Sequence, residues 1–113
     1  MIDDKDDFYL KSMLESISYI QSFLKGVTQK RFTTDIMINS ATLKQFENLG
    51  EAAKKISDKL KEKYPYIVWG RIIGTRNILI HNYLKVDLDQ IWKTAKNDLP
   101  LLKKQIAEII KGK

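Results

Sequence analysis

Apolar residues recur every three or four positions along almost the whole chain, and that spacing leaves few folds open. Leu10, Leu14, Ile17, Ile20, Leu24 and Val27 fall on one stripe of a helix, which Asp3 or Asp4 can cap at its start and Gly26 can end. A second helix is expected from about Thr33-Thr34-Asp35 to about Lys63, with Ile36, Ser40, Leu43, Phe46, Gly50, Ala53, Ile56 and Leu60 on one face. The small residues Ser40, Gly50 and Ala53 on that face let another helix approach closely, and Tyr64-Pro65 closes the segment.

The run from Tyr66 to Tyr83 is rich in β-branched residues and invites a reading as two strands. A lone hairpin in an otherwise helical chain is hard to stabilise, and the run is too long for one typical strand, so a helix buried on most sides is expected. The last helix starts at Asp87, with Gln90 as a capping-box partner, and aligns Leu88, Ile91, Trp92, Ala95, Leu99, Leu102, Ile106 and Ile109. Pro100 lies inside it and removes a helical donor, which predicts a bend or break near Lys96 to Leu99. The expected fold is all-α, an antiparallel bundle of four to five helices forming one domain over residues 1–113.

The chain has no cysteine, which excludes disulfides, thiolate zinc sites and cysteine nucleophiles. No apolar run approaches the roughly 20 residues needed to cross a bilayer, and the first residues, Met1-Ile2-Asp3-Asp4-Lys5-Asp6-Asp7, are acidic where a secretory signal is basic and then apolar. A soluble cytoplasmic protein without membrane contact is expected. The net charge of +6 and isoelectric point near 9.5 suit a polyanion such as RNA. Most lysines nevertheless alternate with acidic residues, as on any solvated helix surface, so charge alone does not select a ligand.

His81 is the only histidine, so metal sites built on histidine pairs are ruled out and one base that titrates near neutral pH remains. Arg76 precedes it by five residues, Tyr83 follows by two, and Asn77 and Asn82 stand between. Burying such a set within the most apolar segment is unfavourable unless the groups are partnered or line a cleft. The segment is therefore either a reactive site or a hydrogen-bond network that fixes the register of the bundle.

Arg76, four residues, His81, one residue and Tyr83 resemble the signature of the HEPN ribonucleases, and of their HepT-type toxins in particular. Three further landmarks resemble that family. They are Asn48-Leu49-Gly50-Glu51-Ala52-Ala53, Tyr64-Pro65-Tyr66-Ile67-Val68-Trp69, and a closing helix carrying Val86-Asp87-Leu88-Asp89-Gln90-Ile91-Trp92 and Asp98-Leu99-Pro100-Leu101-Leu102. The likeness covers about residues 5–110, with Lys30-Arg31-Phe32-Thr33 matching no motif.

The resemblance implies a toxin of a HepT/MntA toxin–antitoxin system that cleaves RNA without metal or cofactor, the ribose 2′-hydroxyl attacking the adjacent phosphate. His81 would serve as general base or acid, Arg76 would bind the scissile phosphate and stabilise its transition-state charge, and Asn77 would support it. The resemblance also implies a homodimer with a cleft between protomers, and an MntA-like nucleotidyltransferase antitoxin that places AMP on Tyr83. The competing reading is a non-catalytic HEPN subunit that binds nucleotide or RNA and partners a nucleotidyltransferase. At about 100° per residue, Arg76 and His81 stand about 140° apart around a straight helix. Either the helix distorts near its end, or the two side chains meet across a dimer.

Overall fold

The computed structural model describes residues 2–112, and among these there are helices and no strand. The main rods are α1 (Asp4–Leu24), α3 (Ile36–Lys55), α5 (Trp69–His81) and α7 (Leu99–Lys111), with the short helices α2 (Gln29–Thr34), α4 (Asp58–Lys63) and α6 (Leu88–Lys93) between them. The whole is the expected all-α antiparallel bundle. α1 packs on α3 and α7, α3 carries α5 on its other flank, and α2 sits against α3 and α6. None of the helices is long and apolar enough to cross a membrane, among the described residues.

Asp3 is the cap of α1, its carboxylate accepting from the Asp6 backbone N–H at 2.7 Å. Asp4, Asp6 and Asp7 then place negative charge where the helix dipole favours it. Gly26, with φ of 73°, turns the chain out of the helix as expected. Leu10, Ile17, Ile20 and Leu24 are fully or almost fully buried, and Leu14 and Val27 lie half-buried beside them.

The second expected helix is two helices. α3 stops at Lys55, Ile56 becomes extended, and Ser57 starts α4 by accepting from the Leu60 N–H at 3.2 Å. The break is made by Asp6 of α1, whose buried carboxylate accepts from the Ser57 backbone N–H at 2.8 Å and from its hydroxyl at 2.6 Å. Ile36, expected in the core, is instead exposed at the first turn of α3, and Asn39 and Thr42 are buried there. Asn39 spends its amide on the Phe32 carbonyl at 3.1 Å.

The segment that matches no motif has a packing role. Thr28 caps α2 at the Arg31 N–H, which turns Phe32 into the core with its ring 5.6 Å from that of Trp92. At the other end of the chain, Asp87 caps α6 through the Gln90 N–H at 3.1 Å. The helix then widens into a π-helical stretch, Thr94–Asp98, before α7 begins with Pro100 in its first turn. The widened stretch absorbs the missing proline donor without breaking the rod.

Candidate active site

α5 is not buried on most sides. Trp69, Ile72 and Leu79 face α3 and the core, while Ile78 is 48% and Ile80 41% exposed. The density of apolar residues on both faces of α5 had pointed to burial all round. Within one chain only one face is covered, and the other is open to solvent.

The face against α3 is fixed at Gly50. A β-carbon there would overlap the Cβ of Arg76 and stand 2.9 Å from the Ile72 carbonyl oxygen, so the two backbones approach as closely as a glycine allows. This crossing lays the stem of Arg76 across α3. Its Nη2 then reaches the Glu51 Oε2 at 2.8 Å, and its Nη1 donates to the Asn77 Oδ1 at 2.9 Å. The Arg76 side chain is 15% exposed and Glu51 42%, so the pair sits at the rim of the bundle. The Nε of Arg76 is buried and has no hydrogen-bond partner. A guanidinium has five N–H donors, and two satisfied corners leave a charged fork able to bind an anion.

His81 is the last residue of α5 and is exposed. Asn82 ends the helix, its N–H still donating to the Ile78 carbonyl at 2.8 Å, and Tyr83 opens a 3-10 turn, Tyr83–Lys85. Tyr83 is 54% and Leu84 98% exposed. The structure thus joins Arg76 to Asn77 directly and leaves His81 and Tyr83 at the open helix end.

α5 is continuous α-helix through His81, so a distortion of its last turns does not close the angle of about 140° between Arg76 and His81. Two hollows flank α5. One is lined by Phe46, Leu49, Ile72, Arg71, Thr75 and Leu99 among others, and one by Ile78, Leu79, Val86 and Ile91 among others. Neither includes Arg76, His81 or Tyr83 in its lining. Glu51 is the member of the site that the pattern around His81 does not reveal. It lies on another helix, although Gly50-Glu51 stood out in the sequence as a landmark.

The structure is an all-helical bundle that carries an arginine, an amide and an exposed histidine on one helix. Comparison with known sequences places it further. The profile of the family described as ribonuclease HepT-like matches residues 13–109, and the chain belongs to that family. It is similar to "Putative RNase MJ1380" of Methanocaldococcus jannaschii, with 36% identity over 98 residues, 87% of this chain and 90% of the relative. It is 38% identical over 103 residues to "Putative RNase MJ1216" of the same organism, covering 91% of this chain and 85% of the relative. "Probable ribonuclease HepT" of Thermococcus cleftensis is 34% identical over 103 residues, 91% of this chain and 94% of the relative. No solved structure matches the chain at a comparable level.

Proposed function

We propose that this chain is a toxin endoribonuclease that cuts RNA without a metal ion, acts as a homodimer, and is silenced when a partner nucleotidyltransferase transfers AMP to Tyr83. The observation that carries the reading is that one helix of a chain of the HepT-like ribonuclease family holds both a partly satisfied Arg76 and an exposed His81.

The chemistry follows from those groups. A base removes the proton of the ribose 2′-hydroxyl, its oxygen bonds to the adjacent phosphorus, and the bond from phosphorus to the 5′-oxygen breaks. An acid returns a proton to that leaving oxygen, giving a 2′,3′-cyclic phosphate and a 5′-hydroxyl. Each chain holds one histidine, so a two-fold dimer supplies two imidazoles, one for each proton transfer. Arg76 holds the phosphate and offsets the negative charge that grows on its oxygens, with Asn77 steadying the guanidinium. Dimerisation also answers the angular separation within one α5, since Arg76 of one protomer and His81 of its partner can face one phosphate.

The test is incubation of the purified protein with RNA in EDTA. Cleavage with 2′,3′-cyclic phosphate ends, lost in His81→Ala while RNA binding persists, supports the reading. Strict dependence on added divalent metal overturns the mechanism. Binding without cleavage by the parent protein identifies a non-catalytic subunit instead.

A further inference from the structure

We infer that Glu51 is a positioning residue that sets how the Arg76 guanidinium faces the scissile phosphate, an inference that rests on the ribonuclease reading above. Nothing in the chemistry of RNA cleavage itself calls for a carboxylate on α3. The geometry does. An arginine side chain has many rotamers, and an unrestrained one presents its fork to a phosphate only part of the time.

Here the first part of the side chain is confined by Gly50, against which the Cβ and Cγ of Arg76 lie. The far end is held at two corners by acceptors from two different helices, Glu51 Oε2 of α3 on Nη2 and Asn77 Oδ1 of α5 on Nη1. Two fixed corners of a planar group fix its plane. Lys55 is a looser second partner of Glu51 at 3.9 Å, so the shorter contact of the carboxylate is with Arg76. The second N–H of each Nη stays available to phosphate oxygens, while the Nε is buried within the bundle.

Glu51 also offsets part of the arginine's charge, so its removal acts in two directions. Losing the restraint lowers the rate of the chemical step, because a group displaced by about 1 Å can lose about 100-fold in rate. Losing the negative charge strengthens the ground-state attraction of Arg76 for RNA. A residue that merely supported the fold would not separate kcat from KM in this way.

The experiment uses the full chain and its Glu51→Gln and Glu51→Asp variants. For Glu51→Gln we expect kcat to fall by at least about tenfold, with KM no higher than that of the parent and a thermal midpoint close to it. Glu51→Asp keeps the charge and recovers part of the rate. Nitrogen-15 NMR of the arginine side chains gives a readout that needs no RNA. The Arg76 Nη signals should show restricted rotation in the parent and averaging in Glu51→Gln. Glu51→Gln with parental kcat, alongside an inactive His81→Ala, overturns the role of Glu51 and leaves the ribonuclease reading standing. A loss of cleavage that tracks a fall in thermal midpoint, with the Arg76 signals unchanged, reduces Glu51 to a structural role. A parent protein that cuts no RNA overturns the ribonuclease reading and takes this inference with it.

Discussion

Gly50 and Arg76 meet where α3 crosses α5, with no room between them for a methyl group. The obstacle on the α5 side includes the Ile72 carbonyl oxygen, 2.9 Å from where a β-carbon would stand, and backbone does not yield as a flexible side chain would. Gly50→Ala therefore separates the helices or fails to fit. Alanine in a helix gains up to about 1 kcal/mol over glycine, but overpacking costs about 1–3 kcal/mol. A net loss of about 1–2 kcal/mol is expected in denaturant titration. Cleavage should fall further than stability, because the shift carries Arg76 away from Glu51. An unchanged midpoint would mean that the crossing is looser than the structure has it.

Asp6 and Ser57 are expected to behave as one unit in folding. The buried Asp6 carboxylate accepts two hydrogen bonds from Ser57, and the Ser57 hydroxyl in turn caps α4. A hydrogen bond to a charged group contributes about 1.5–3 kcal/mol, and loss of a cap costs about 1 kcal/mol. Asp6→Ala and Ser57→Ala should each destabilise by amounts of that order, and the double variant by less than their sum. Strict additivity in a double-mutant cycle would show that the two residues act independently.

That same pair explains why the end of α3 was not legible in the sequence. The apolar period runs through Ile56 to Leu60 without a fault, because both lie in the core. The signal that stops the helix comes from α1, and periodicity carries no such long-range information. By contrast α1, α6 and α7 were legible because their caps and stripes are local: Asp3, Gly26, Asp87 and the series from Ile91 to Ile109 do in the structure what their spacing implies. α5 was legible as a helix but not in its burial, since apolar residues on both faces blur the period. The site divides likewise. Arg76, Asn77, His81 and Tyr83 lie close together in the chain, whereas Glu51 reaches Arg76 only through the crossing at Gly50.

The exposed side chains at the end of α5 lead to a prediction about assembly. Ile78, Ile80, Tyr83 and Leu84 are all at least 41% exposed and lie within a few residues of His81. Apolar side chains left exposed around one helix end suit an end that another chain covers. The protein is expected to be a dimer by light scattering at micromolar concentration, and Leu84→Glu together with Ile80→Glu to turn it into a folded monomer with little RNA cleavage. A monomeric parent that cuts RNA at full rate would refute the shared cleft.

Tyr83 is expected to be the switch of the site and not part of its catalyst. It stands two residues beyond His81, at the start of the turn that ends α5, and is 54% exposed, so a partner enzyme can reach its hydroxyl. A phenol is a poor general base at neutral pH beside an imidazole. It would be a competent acceptor: its oxygen would bond to the α-phosphorus of ATP as pyrophosphate leaves, with its proton passing to the partner enzyme or to water. The attached AMP would bring a bulky anion next to the residues proposed to hold the RNA phosphate, blocking substrate by size and by repulsion. Tyr83→Phe should retain most RNA cleavage and lose modification by the partner nucleotidyltransferase, whereas His81→Ala should lose cleavage and still be modified. Intact-protein mass spectrometry after incubation with the partner and ATP reads the added AMP directly. The same mass gain on Tyr83→Phe would move the modification elsewhere, and a folded Tyr83→Phe without cleavage would place the phenol in the catalytic machinery.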